Sequence, residues 1–207
     1  MSTSASSGFA ELLRAKLAGL LELTPEQVAA LQAHYELLLR WNQRLNLTRV
    51  DSLEQAVERH YCESLFLAKH LGLIPLRICD IGSGAGFPGI PIAIARPDCT
   101  ITLIESHKRK AVFLREASRK LPNVRVLTER AEDVSESFDC AVSRAVSYQD
   151  LVPVLRKLAG SADLLTGAEE PPVILCFTWN KGIVLPWNRS SFLRIGQAVD
   201  VSRETSC

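Results

Sequence analysis

The sequence predicts a doubly wound α/β fold. A mostly parallel sheet is expected over residues 73–207, preceded by a helical extension over residues 1–72 and closed by a C-terminal antiparallel hairpin. Three observations lead there. From "LRICDI" (76–81) onward, short apolar runs alternate with longer amphipathic ones, the pattern of parallel strands joined by crossover helices. Before that point the apolar residues recur at helical spacing. Between the first strand and the first helix of the alternating region, the stretch "DIGSGAGFPGIPIAIARPD" (80–98) sets four glycines within eight residues.

Residues 9–21 carry an apolar stripe. "TPEQ" (24–27) starts a longer helix, with Thr24 as N-cap, Pro25 at the first helical position and Gln27 closing a capping box. Leu31, Tyr35, Leu38 and Leu39 continue its face. "DSLE" (51–54) repeats the device with Asp51 and Glu54 and opens a helix through about His70. Strands are expected at 76–81, "TITLIE" (100–105), "VRVLTE" (124–129) and "FDCAVSR" (138–144), with "ADLLT" (162–166) as a fifth parallel strand. Helices are expected from "PGIPIAIA" (88–95), over "HKRKAVFLREASRK" (107–120) and around 148–159. "PPVILCFTW" (171–179) and "SFLRIGQAV" (191–199) flank "LPWNRSS" and read as the hairpin.

At 207 residues the chain suits one domain with a small extension. A formal net charge of +1 argues neither for nor against a polyanionic partner, so a nucleic-acid surface must come from local clustering. No apolar run approaches the roughly 20 residues that span a bilayer. The start lacks the charged and apolar regions of a secretory signal, and a cytoplasmic location is expected. The six cysteines, Cys62, Cys79, Cys99, Cys140, Cys176 and Cys207, form no C-x-x-C pair and have no histidine at zinc-ligand spacing. They read as buried free thiols, and no metal is expected.

Gly84, Gly86 and Gly89 formally fit G-x-G-x-x-G, the dinucleotide fingerprint. Asp80 pulls away from that reading, because a carboxylate just before the glycines repels a pyrophosphate. Counted from Gly82 the loop is D-x-G-x-G-x-G. That shape suits a ligand with a cationic amino-acid end, close to bare backbone, its ammonium offset by Asp80. S-adenosylmethionine is such a ligand. Glu105 ends the second strand about 20 residues on, where an acid can accept both ribose hydroxyls; it serves NAD and S-adenosylmethionine alike.

Several segments together resemble the small-subunit ribosomal RNA methyltransferase G family, also called glucose-inhibited division protein B. They are "WNQRLNLTRV" (41–50), "RHYCESL" (59–65), the glycine segment, "TLIESHKRKAVFLREA" (102–117), "ERAED" (129–133) and "FDCAVSRA" (138–145). The resemblance implies a class I, Rossmann-like, S-adenosylmethionine-dependent enzyme that methylates N7 of a guanine in bacterial small-subunit ribosomal RNA. It implies cofactor contacts at Gly82 and Phe87, at Glu105 and Ser106, at Ala131 and Glu132 bordering the adenine, and at Arg144. The implied partner is small-subunit ribosomal RNA or the assembled subunit, met by a monomer. The match weakens after about residue 160.

The residues themselves suit N7. After the fourth strand stands "SRAV" rather than the Asn/Asp-Pro-Pro-aromatic element of exocyclic-amine methylases, and Cys140 lies mid-strand, a poor place for a nucleophile. Guanine N7 carries a free lone pair and needs no base, so positioning suffices. Arg144 is assigned to that positioning, on the cofactor, the guanine O6 or a phosphate. RNA contact is expected at Lys108, Arg109 and Lys110, where positive charge opposes the helix dipole and so points to function, and at Arg59 and His60 on the extension. A methyltransferase acting on another RNA or on a small molecule, an NAD-dependent oxidoreductase and a non-catalytic RNA-binding module stand as alternatives.

Overall fold

The computed structural model describes residues 3–49, 52–172 and 177–199, without the side chains of residues 3–7. Helix α1 (Thr3–Leu17) ends where Gly19 takes φ +75°. Its stripe therefore loses the last turn expected of it, and the Leu20 and Leu21 amides donate to the Leu17 carbonyl instead. Helix α2 (Pro25–Leu45) opens with the capping box: Gln27 N donates to Thr24 Oγ1 at 3.3 Å and Thr24 N to Gln27 Oε1 at 2.9 Å. The next helix is capped by Ser52, whose hydroxyl accepts from Gln55 N; Asp51, the expected cap, lies outside the described residues. It runs as α3 (Leu53–Ala56), a π-helical turn (Val57–Cys62) and α4 (Glu63–His70).

Five strands run parallel to one another: β1 (Arg77–Ile81), β2 (Thr100–Ile104), β3 (Val124–Leu127), β4 (Phe138–Arg144) and β5 (Ala159–Thr166). Their spatial order is β3-β2-β1-β4-β5. The chain builds outward from β1 to β3, then returns to the far side of β1, so β1 and β4 bracket the switch point where ligands of such sheets bind. The C-terminal segment is antiparallel, as expected, but joins the same sheet. Strand β8 (Asn188–Ala198) pairs with β5 on one side and with β6 (Phe177–Trp179) and β7 (Ile183–Leu185) on the other.

Crossover helices α5 (Gly89–Ala95) and α6 (Lys108–Ala117) cover one face of the sheet, and α7 (Tyr148–Leu158) the other. The connection from β3 to β4 holds only a 3₁₀ turn, Ala131–Asp133. The larger apolar cluster runs from Phe9, Leu13, Leu31 and Tyr61 of the extension into Ile78, Ile90, Leu103 and Phe113 of the sheet layers. The extension therefore shares one core with the sheet across residue 72. Each fully buried side chain of this size contributes about 1.5–3 kcal/mol, which holds the extension against the face that carries the glycine loop.

Candidate active site

The glycine loop hangs from the C-terminal end of β1 and is tied to β2. Gly82 N and Ser83 N both donate to the Ile104 carbonyl, at 3.0 and 3.1 Å. Gly82, Gly84 and Gly86 have φ of +72°, +54° and +87°, conformations that side-chain-bearing residues rarely adopt. Their surroundings differ. A Cβ on Gly86 would lie 2.5 Å from Ile90 Cδ1, so this glycine serves packing against α5. A Cβ on Gly84 would find only the Gly82 carbonyl, at 3.7 Å, and is otherwise in open space.

Asp80 is fully buried under the loop, where its Oδ2 accepts from Gly89 N at 3.0 Å at the start of α5. Burial pushes its carboxyl up to about 7, against the pull of the Gly89 amide. Its other oxygen, Oδ1, is buried without a hydrogen-bond partner among the described residues. Glu105 is also buried, and bridges the loop to α6: Oε2 accepts from Gly84 N at 2.9 Å and Oε1 from His107 N at 2.7 Å. The acid at the end of β2 is thus held at a helix N-terminus, beside the glycines.

A cavity of about 270 Å³ opens here, lined by Gly82, Glu105, Ser106, Ala131, Glu132 and Val146 among others. A second, of about 230 Å³, adjoins it through Val146 and is lined by Glu63, Arg144, Tyr148, Thr166 and Ser191 among others. A larger cavity, about 360 Å³, lies at the opposite ends of the strands around Arg77, Thr100 and Val124 and holds none of the expected site residues. The two that meet at Val146 lie at the carboxyl ends of β1 and β4, where the switch point puts a ligand.

Arg144 ends β4, and Ala145 after it takes φ +59°, a strained turn for a residue with a Cβ. Arg144 Nε donates to Glu63 Oε2 at 3.2 Å, across 81 residues of sequence. Glu63 sits at the start of α4 and is 4% exposed. Burial raises its pKa, while the Arg144 guanidinium opposes the rise. Glu63 lies within "RHYCESL" but carries no role expected from sequence; the one available signal is a single acid before "SLFLA" on a helix, since a buried charge needs a partner.

Two of the expected contact residues have buried side chains. His60 is buried, its ring stacked on Phe87 at 4.8 Å and its Nε2 3.2 Å from Thr48 Oγ1. Burial, then the nearby Arg144 charge, pushes its pKa down to about 3. That burial leaves the ring little surface to offer a partner. Phe87 turns its ring into the extension, against His34, His60 and Tyr61. Lys108 and Arg109 are exposed and Lys110 half-buried at the first turn of α6, next to Glu105; Arg59 is exposed beside Glu63.

Cys62, Cys79, Cys99 and Cys140 are buried free thiols, and burial pushes the Cys140 thiol up to about 12. Cys176 and Cys207 lie outside the described residues. Among those described, no group of three or more His, Cys, Asp or Glu could hold a metal, and no helix is long and apolar enough to cross a membrane.

A family model described as rRNA small subunit methyltransferase G matches residues 27–165, which includes every expected site residue and stops before the antiparallel strands. A ribosomal RNA small subunit methyltransferase G from Chromobacterium violaceum is 44% identical over 143 residues, 67% of this chain and 68% of that protein. One from Nitrosococcus oceani is 43% identical over 128 residues, covering 60% of this chain and 59% of that protein. The matched part thus spans little more than half to two thirds of these relatives. Among solved structures, a SAM-dependent methyltransferase from Aquifex aeolicus superposes with a TM-score of 0.56 at 16% identity, over 70% of this chain and 93% of that one. Fibrillarin from Aeropyrum pernix, solved with natively bound S-adenosyl-L-methionine, gives 0.51 at 16% identity over 64% and 72%. These likenesses show the fold: a class I methyltransferase sheet.

Proposed function

The chain belongs to the rRNA small subunit methyltransferase G family, and we propose on that premise that it transfers a methyl group from S-adenosylmethionine to N7 of a guanine in small-subunit ribosomal RNA. The observation that carries this is the meeting at Val146 of a cavity built on the glycine loop and a cavity built around Arg144. When bound, the cofactor supplies a methyl group activated by a sulfonium.

The first cavity fits that cofactor. Open space at Gly84 admits a ligand against bare backbone, Glu105 is held by two amides with its remaining lone pairs available to ribose hydroxyls, and Ala131 and Glu132 border the far end. Beneath the loop Asp80 keeps a buried oxygen that has no partner among the described residues and suits an ordered water. A pyrophosphate gains nothing from that carboxylate, which weighs against NAD.

The second cavity suits a nucleophile that already carries its lone pair. Guanine N7 has no proton to lose, so the protein need only position the base and exclude water. Cys140, buried and firmly protonated, is no nucleophile. Arg144 is partly neutralised by Glu63, so it can hold a base or phosphate without adding a bare positive charge beside a purine that becomes cationic. Lys108, Arg109, Lys110 and Arg59 supply the positive rim for the RNA backbone.

N7 methylation makes the guanine labile to borohydride. RNA treated with the protein and cofactor should break at one guanine after borohydride and aniline, and Arg144→Ala should sharply reduce the cleavage. Methyl transfer that leaves the RNA resistant would refute N7 while sparing the methyltransferase reading.

A further inference from the structure

We propose that the Glu63–Arg144 ion pair reads the target base, and that Glu63 is the residue that makes the site specific for guanine. This rests on the function proposed above.

The cavity beside Arg144 has two distinguishable ends. Val146 belongs to it and to the glycine-loop cavity. Glu63 belongs to it and to a third cavity, of about 260 Å³, lined with Glu58, Arg59, Trp187 and Asn188. A purine seated with N7 toward Val146 therefore turns its opposite edge, N1 and the 2-position, toward Glu63. Tyr148 lines the same cavity and can offer an extruded base a ring to stack on.

Guanine presents on that edge two donors, N1–H and the 2-amino group, next to the acceptor O6. The ion pair presents the complement: a carboxylate that accepts and a guanidinium that donates. Arg144 uses Nε on Glu63, and its terminal nitrogens show no hydrogen bond among the described residues, so they are available for O6. Adenine reverses both features. Its N1 lone pair would face the carboxylate and its 6-amino group the guanidinium, leaving two charged groups opposed to like partners. A carboxylate 4% exposed is costly to keep for packing alone, since an apolar side chain would serve there at no desolvation penalty.

The test uses RNA carrying the target guanine or inosine in its place; inosine keeps N7, O6 and N1–H and lacks the 2-amino group. Methyl-transfer kcat/KM of the parent should fall about tenfold on inosine, the loss of one charge-assisted base contact. Glu63→Gln should be slower on guanine, and its guanine-to-inosine ratio should approach one. Glu63→Asp, which keeps the charge but withdraws it by one methylene, should lower the ratio in the same direction if the Gln variant does not fold. Thermal melting and S-adenosylhomocysteine titration report folding and the cofactor site. A merely structural counter-ion would slow both substrates equally and keep the ratio. That result, or a parent that treats inosine and guanine alike, overturns the inference. A parent inactive on the guanine RNA overturns the premise, and this inference with it.

Discussion

Gly84→Val and Gly86→Val, two residues apart, should fail in different ways. At Gly84 the added atoms meet no protein group closer than the Gly82 carbonyl, 3.7 Å from the new Cβ. The cost to the fold is therefore the left-handed backbone, φ +54°, or about 1–2 kcal/mol for an L residue. The side chain projects into open space, where a cofactor would approach the loop. Affinity for S-adenosylhomocysteine should drop at least a hundredfold, about 3 kcal/mol. At Gly86 the new Cβ stands 2.5 Å from Ile90 Cδ1 and 3.3 Å from His34 Nε2, so the buried Ile90 side chain, the loop or α5 must shift. Overpacking of this kind costs about 1–3 kcal/mol beyond the backbone strain. Calorimetric titration measures the first effect and thermal melting the second. A Gly84→Val protein that binds the cofactor like the parent would refute the placement of the site; a Gly86→Val protein as stable as the parent would refute the packing role given to that glycine.

Replacing Lys108, Arg109 and Lys110 together with Ala should weaken RNA binding and lower its salt slope by about two to three, each lost phosphate contact counting for nearly one, with cofactor affinity unchanged; an unaltered slope returns this turn of α6 to an ordinary solvated face. Buried Asp163 should make stability depend on pH. Its carboxyl is pushed up by burial to about 7, so between about pH 4 and 7 the folded chain holds a proton that the unfolded chain has lost. Stability is then greatest at the acid end and falls as pH rises through 7, by no more than roughly 4 kcal/mol. Asp80 adds a slope of the same sign. Asp163→Asn should accordingly reduce the difference in melting temperature between pH 5 and pH 8 without abolishing it, and an unchanged difference would show that Asp163 is ionised in the fold. His60→Gln should lower the melting temperature and leave the salt slope of RNA binding alone, as a buried residue stacked on Phe87 requires; a changed slope would bring His60 back as an RNA contact.

Several features were legible because their causes are local. The Thr24–Gln27 capping box closes within four residues, and it forms as read. The alternation after residue 76 becomes the five parallel strands, since a strand buried on both faces must be apolar along its length. Asp80, the glycines and Glu105 come together because a strand–loop–helix–strand unit leaves each strand's C-terminal end on the same edge of the sheet.

Sequence alone therefore determined the sheet, the loop on which it opens and the acid at the next strand's end, all set by hydrogen bonds and periodicities that act over a few residues. Tertiary structure decided the rest. Glu63 meets Arg144 across 81 residues. His60 and Phe87 stack face to face and so leave the surface. Strand β8 pairs antiparallel with β5 and so carries the C-terminal strands onto the edge of the parallel sheet. None of these contacts has a periodicity or a spacing to betray it. Each is fixed by which groups must share a buried space once the extension and the sheet have closed on one core: a charge out of water has to find its opposite, and an aromatic ring its neighbour, wherever in the chain they lie.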